Sequence, residues 1–258
     1  MVKSAERVLQ ILEAIGPRKD GVSHGELSAA LNIPKSSLSS LLSTLTERGY
    51  ILFGKTARRY FLGSKLLILA GHHLENLDLV RLGQPILRKL TNTLDESTEI
   101  AARRGYNILI LCKEDCSRSL KMVIQIGDRA PLYATAAGKA ILAYLYEDEL
   151  EAYLESVKLK ALAPNTNTIT EVLRRELKAI RAGAIAYSRE ELDEGMMAMA
   201  APIFTLQGRV AGSIVVPFPT SRFTPEREKA ITKALRKATE RLSYQLGFDK
   251  HVTAGRTP

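Results

Sequence analysis

Residues 33–50 read Ile33-Pro34-Lys35-Ser36-Ser37-Leu38-Ser39-Ser40-Leu41-Leu42-Ser43-Thr44-Leu45-Thr46-Glu47-Arg48-Gly49-Tyr50. Leu38, Leu41, Leu42 and Leu45 fall at i, i+3, i+4 and i+7, which places them in one apolar stripe on one face of a helix. The other faces carry Lys35, Ser36, Ser37, Ser39, Ser40, Ser43 and Thr44, all short or flexible side chains that can donate hydrogen bonds. Pro34 suits the first helical position and Gly49 suits the stop. A helix with a packed back and a small polar front can enter the major groove of DNA without clashing. A solvated amphipathic helix and a Ser-rich linker are the plainer readings, and the leucine spacing argues against the linker.

The flanks extend the pattern. Ser4 is placed to cap a helix to about Ile15, with Ala5, Val8, Leu9, Leu12 and Ile15 at helical spacing, and Gly16-Pro17 stops it. Ser23 with Glu26 three residues on forms a capping box for a short helix that buries Leu27, Ala30 and Leu31. Asn32-Ile33-Pro34 then turns into the helix quoted above, and helix, tight turn, helix is the helix-turn-helix arrangement. After Gly49, the β-prone runs Tyr50–Phe53 and Tyr60–Leu62 flank Gly54-Lys55-Thr56-Ala57-Arg58-Arg59, a hairpin with a basic tip. Residues 1–64 hold nine Lys and Arg against five Asp and Glu, and Lys55, Arg58 and Arg59 would sit where phosphates pass.

In order and spacing this region resembles the isocitrate-lyase-regulator (IclR) family of bacterial transcription factors. The resemblance is carried by Ile33-Pro34-Lys35-Ser36-Ser37, then Leu41-Leu42, Leu45 and Gly49-Tyr50. It departs at Ser40, beside Ser39, where the family commonly has a larger polar or basic side chain, so an Arg fork for base readout is missing at that turn. The resemblance implies a DNA-binding front of Lys35, Ser36, Ser37, Ser39, Ser40 and Thr44, with Lys55, Arg58 and Arg59 holding the backbone or minor groove. It also implies that the next helix, from Lys65 to about Leu77, links two domains and packs against its copy in a dimer.

The composition fits this picture. The chain has 258 residues and a formal charge of +9, which favours an anionic partner. Two cysteines, Cys112 and Cys116, make no disulfide framework and no zinc spacing, so a reducing compartment, the cytoplasm, is expected. No apolar run is long enough for a membrane span.

A second pattern begins with a helix over Asp78 to Leu94, which Gly83-Gln84-Pro85 is placed to bend. Strands are expected at Thr98–Arg103, Ile108–Lys113, Lys121–Ile126, Ala184–Ser188, Met196–Phe204 and Val210–Pro217. Helices are expected from about Ala136, at Tyr144–Val157, at Thr170–Ala182, and from Thr224 to about Leu246. Gly138-Lys139 suggests a phosphate loop, but Tyr133 and Ala140 stand where Gly and Ser or Thr are needed. The small residues there are consistent with carboxylate binding at a helix start or with close helix–sheet packing.

The expected fold class is α+β. A winged helix-turn-helix (residues 1–64) is joined by a linker helix (65–78) to an α+β domain (79–248), with a disordered tail (249–258). Three phrases make the second domain similar to the family's GAF/profilin-like effector-binding domain: Gly127-Asp128-Arg129-Ala130-Pro131-Leu132 with the run to Lys139, Glu190-Glu191 with Gly195, and Ala200-Ala201-Pro202-Ile203-Phe204 with Gly208. The resemblance implies a pocket in which backbone N–H groups of Ala136 and Ala137 take a carboxylate. Ser188, Ala198, Val215 and Pro217 would line it, with Met122 as a wall. Family members that bind small keto-acids have polar or acidic groups at the Ser188, Ala198, Val215 and Pro217 positions. The apolar set here points to a larger, less polar ligand such as an aromatic acid, or to a small, silent cavity.

No catalytic constellation stands out. The histidines are His24, His72, His73 and His251, and no nucleophile elbow is present. Of Glu190 and Glu191, one is expected to cap a loop and the other to face solvent. No enzyme activity, cofactor or metal is expected. The expected function is a ligand-responsive regulator that binds a pseudo-palindromic double-stranded operator as a homodimer or tetramer, with a small organic acid as effector and no membrane partner. The competing class is a winged-helix sensor or scaffold that acts through protein contacts.

Overall fold

A computed structural model describes residues 2–75, 78–119 and 124–248, and side chains between 70 and 78 lie outside the description. The chain divides into two compact units between residues 76 and 77.

The first unit contains α1 (Lys3–Ile15), α2 (His24–Leu31), α3 (Lys35–Glu47), β1 (Ile51–Gly54), β2 (Arg59–Leu62) and α4 (Ser64–Glu75). Helix α1 starts two residues earlier than expected, at Lys3 after Val2, without a side-chain cap, so Ser4 lies inside the helix and is not its cap. The capping box at α2 forms as read: the Glu26 N–H donates to Ser23 Oγ, and the Ser23 N–H donates to Glu26 Oε2. Asn32 ends α2 at φ 50°, a left-handed position that asparagine tolerates. Pro34 is corrected from the first helical position to the N-cap: α3 begins at Lys35, and at the cap the missing N–H of Pro34 costs no intrahelical bond. Leu38, Leu42 and Leu45 join Ile11, Ile15, Leu27, Ile33 and Ile51 in one core, and Leu41 packs half-buried against it. Strands β1 and β2 pair antiparallel, and a bridge between Val22 and Tyr60 ties the hairpin to the turn before α2. Gly63 permits the next close approach, since a Cβ there would lie 2.1 Å from the Gly49 carbonyl oxygen.

The second unit begins with α5 (Asp78–Leu94), β3 (Thr98–Arg104), β4 (Asn107–Glu114) and β5 (Arg129–Pro131), followed by a 3-10 turn at Leu132–Ala134. It continues with α6 (Ala136–Leu142), α7 (Glu147–Ser156), α8 (Thr170–Arg181), β6 (Ala186–Arg189), β7 (Met196–Phe204), β8 (Val210–Pro219) and α9 (Pro225–Gln245). The strands form one antiparallel sheet in the order β5-β4-β3-β8-β7-β6. Period-two alternation splits the side chains between two cores. Ile100, Met199, Ile214, Val216 and Phe218 face α5 and α9. Ala101, Ile108, Ile110, Ala200 and Val215 face α6, α7 and α8.

Two expectations for this unit are corrected. Of the strand expected at Lys121–Ile126, residues 121–123 lie outside the description, 124–126 form no strand, and the described strand beside β4 on that side is Arg129–Pro131. Helix α7 starts at Glu147, because three acidic residues make a better first turn than Tyr144 to Tyr146. Helix α5 runs through Pro85.

Candidate functional site

The first candidate is the outer face of α3. Lys35, Ser36, Ser39, Ser40 and Thr44 are exposed and Ser37 is half-buried. Three hydroxyls turn back on the helix: Ser39 Oγ donates to Lys35 O (2.9 Å), Ser40 Oγ to Ser36 O (3.3 Å) and Thr44 Oγ1 to Ser40 O (3.1 Å). That corrects the picture of an all-donor front. With their protons committed along the helix, these hydroxyls offer lone pairs outward. His24 of α2 also reaches Ser39 Oγ at 3.0 Å, holding it in place.

The wing tip is built differently from its sequence reading. Lys55 and Arg58 are exposed in the four-residue turn, and Arg58 adopts φ 52°. Arg59 points inward instead. Its guanidinium donates to Gly21 O (3.0 Å) and to Glu26 Oε1 (3.2 Å), joining the hairpin to the start of α2. The same arginine and the Ser23 bonds hold the Glu26 carboxyl below its usual range, with the Ser23 backbone bond the largest cause.

The second candidate is a cavity of about 280 Å³ in the second unit, on the α6 side of the sheet. Ala136, Ala137, Ser188, Ala198, Val215 and Pro217 all line it. Met122 lies outside the described residues. The structure also places Glu99, Asp128, Arg129, Thr135 and Asp193 on the lining, which the sequence reading had not included. The sequence carries little signal for Glu99, because β3 holds only Ile100, Ala101 and Ala102 as apolar residues between Thr98-Glu99 and Arg103-Arg104. An expected strand at 121–126 leaves Asp128 and Arg129 beyond it, whereas β5 at Arg129–Pro131 brings them to the cavity. The apolar wall is formed by Ile108, Ile110, Ile124, Met197, Ala198, Val215 and Pro217. Ser188 is buried and donates to Ala134 O at 3.0 Å.

The start of α6 forms the cavity's roof. Thr135 caps it by accepting from the Gly138 N–H at 3.0 Å. Gly138 is required for close packing, because a Cβ there would lie 2.1 Å from the Leu132 carbonyl oxygen. Lys139, which failed the phosphate-loop reading, has a structural role: its ammonium meets Glu191 at 2.7 Å and Glu176 at 3.0 Å. Glu191 is 6 % exposed, so the expectation that it faces solvent is corrected. Burial pushes its carboxyl up against the pull of Lys139. Glu190 does cap the loop, accepting the Gly195 N–H at 3.0 Å. The ion pair thus pins the loop bearing Leu192 and Asp193 to α6.

Glu99 is 3 % exposed. Desolvation raises its carboxyl to about 8, outweighing the nearby Lys113, while Asp115 and Asp128 add to the rise. Cys112 is buried on the opposite face, and burial pushes its thiol up to about 12, so it is not a reactive thiolate at neutral pH. The side chains of His72 and His73, and residue His251, lie outside the described residues. Among the described residues no cluster of His, Cys, Asp and Glu could hold a metal ion, and no helix is long and apolar enough to cross a membrane.

Comparison with known proteins agrees with this architecture. The IclR helix-turn-helix domain matches residues 4–52, and the bacterial transcriptional regulator IclR C-terminal domain matches residues 71–244. The chain is 33 % identical to the HTH-type transcriptional regulator KdgR of Escherichia coli K12 over 247 residues, covering 96 % of this chain and 94 % of that protein. The Thermotoga maritima IclR crystal structure superposes with a TM-score of 0.86 at 29 % identity, covering 96 % of this chain and all of that one. An IclR homologue from Microbacterium hydrocarbonoxydans, crystallised with 4-hydroxybenzoate, shares the fold at a TM-score of 0.84 and 20 % identity, covering 95 % of this chain and 99 % of that one. With both domains matched in order across nearly the whole length, the chain belongs to the IclR family of bacterial transcriptional regulators.

Proposed function

We propose that this regulator binds a pseudo-palindromic operator as a homodimer or tetramer, and that a small organic acid held in the cavity of the second unit controls that binding. The observation that carries the reading is the front of α3, with exposed hydroxyls over a buried leucine back, next to Lys55 and Arg58 at the wing tip. Lys35, Ser36, Ser37, Ser39, Ser40 and Thr44 would meet base edges and nearby phosphates. Hydroxyls that present lone pairs match amino donors of adenine N6 and cytosine N4 in the major groove. Lys55 and Arg58 would grip phosphates, with Arg59 bracing the hairpin that carries them. On α4, Leu67 is 75 % exposed and Ile68 and Leu69 are also exposed, which supports a contact with a second copy through this helix.

For the effector, Ala136 and Ala137 at the start of α6 would receive the carboxylate, and the wall of Ile108, Ile110, Val215 and Pro217 would receive an apolar body such as an aromatic ring. The fold neighbour with 4-hydroxybenzoate holds a ligand of that class. The effector acts by its differential affinity for DNA-competent and DNA-incompetent arrangements of the assembly.

The test is fluorescence anisotropy with the DNA immediately upstream of the protein's own gene, across a salt series and with candidate acids added. The expected result is tight, competition-resistant binding that falls steeply with salt and shifts on addition of an acid. Weak, equal binding to all sequences, with and without acids, would overturn the reading in favour of a winged helix that meets a protein partner.

A further inference from the structure

We propose that Glu99 is the specificity residue of the cavity: its carboxyl hydrogen-bonds an oxygen of the bound acid other than the acid's own carboxylate. The regulator then selects acids with a second polar oxygen, carbonyl or hydroxyl. The inference rests on the reading of this cavity as the effector site.

Glu99 stands on β3 opposite Val215 of β8 and shares the α6 face with Ala101. It is nearly fully buried, and what it can reach is the cavity that it lines with Thr135 and Ser188. Among the described residues no group hydrogen-bonds its carboxyl. The other buried carboxylates are all engaged: Glu96 binds Arg222 and Arg227, and Glu191 binds Lys139. An inward carboxyl without a partner among the described residues is costly to keep unless something else completes it. In a cavity, that something is a ligand.

The charges around Glu99 decide which half of the hydrogen bond it supplies. On β4 its cross-strand neighbour is Lys113, whose ammonium is already held by Ile124 O at 2.8 Å and Asp115 at 3.1 Å. Asp128 lies in the loop before β5, Arg129 stands at the head of β5, and Asp193 is on the β6–β7 loop. From α6 and its cap come Thr135, Ala136 and Ala137, and from β8 come Val215 and Pro217, none of them charged. Burial therefore prevails, and with a carboxyl titrating at about 8 the group carries its proton at pH 7. A protonated carboxyl donates its O–H. An incoming anion raises the pKa further and keeps the proton in place. Above pH 8 the free cavity presents a carboxylate instead, which repels the anion.

The experiment is calorimetry on the full-length protein at pH 7 and pH 9, with two matched pairs of probes whose polar oxygens do not ionise in that range. The pairs are pyruvate against propionate, and 4-(hydroxymethyl)benzoate against 4-ethylbenzoate. In the pair whose size fits the cavity, the oxygen-bearing acid binds about tenfold tighter at pH 7, the worth of one buried hydrogen bond, and loses affinity at pH 9. Glu99→Gln, which keeps a donor at the same place, retains the discrimination and loses the pH dependence. Glu99→Leu abolishes the discrimination. Discrimination that survives in Glu99→Leu overturns the proposal, as does an absence of discrimination in the wild type. Ala198→Phe, which fills the cavity, separates the two levels. If every acid binds this variant undiminished, or none binds the wild type at millimolar concentration, the cavity reading itself fails. If Ala198→Phe blocks binding while Glu99→Leu matches the wild type on both pairs, only the role of Glu99 falls.

Discussion

Lys139 and Glu99 show how the second unit handles charge that its strands and helices bring indoors. Lys139 is 2 % exposed and its charge is met by Glu191 and Glu176, so replacing one partner alone leaves a buried charge unpaired. Lys139→Met is expected to cost about 3 kcal/mol or more in denaturant unfolding, and adding Glu191→Gln should recover much of it. Glu99 has the opposite problem, a carboxyl held near 8 when folded against an ordinary value of 4.5. The folded state retains a proton that the unfolded chain has lost between those values. Its contribution to stability therefore declines as pH rises from about 4.5 to about 8 and is level above. At 1.36 kcal/mol per pH unit, Glu99→Gln should gain a few kcal/mol over the wild type at pH 8 and nothing at pH 4, read by hydrogen exchange at the β3 amides.

At the scale of elements, the wing and α3 make separable predictions. Lys55→Ala and Arg58→Ala should weaken binding to all DNA and each lower the salt slope by about 1, measured by anisotropy. Arg59→Ala should also weaken DNA binding, but with a lower melting temperature for the first unit, because it breaks the tie to Gly21 and Glu26. Leu42→Ala should cost about 2–5 kcal/mol by emptying a fully enclosed site, whereas Ser40→Ala should alter DNA affinity and leave stability within about 0.5 kcal/mol. Helix α3 was legible in the sequence because its leucine period and its stop at Gly49 are both local signals. The capping box of α2 was legible for the same reason. Arg59 was not, since its partners lie 33 and 38 residues earlier in the chain. The missing strand at 124–126 has a similar cause: an apolar run near β4 was read as a strand, and the pairing was decided by register, Asn107 opposite Pro131 and Leu109 opposite Arg129. Six of the seven cavity residues named from family resemblance line one cavity. Glu99 was not legible because a buried charge breaks the alternation by which strands are recognised. Asp128 and Arg129 were not because they lie in a loop and at a strand end whose place depends on the pairing of β4 with β5, and Asp193 was not because it lies in the β6–β7 loop.

For the whole molecule, any coupling between an acid in the cavity and the operator must be reciprocal. If an acid changes operator affinity by a given factor, operator DNA must change the affinity for that acid by the same factor, and paired titrations in both orders should agree. The order of the strands adds a consequence for the making of the protein. The sheet is joined at β3–β8, where Ile100 pairs with Ile214 across 114 positions of sequence. During synthesis the first unit emerges early, built from contacts within residues 1–76. Strand β3 then pairs with β4 on one side while its other edge stays bare until β8 arrives. Such an edge is a template for another chain. A nonsense codon anywhere between β4 and β8 therefore does not release a free, ligand-blind DNA-binding module. It yields a module tethered to an open edge, and such alleles should behave as losses of soluble protein rather than as unregulated regulators.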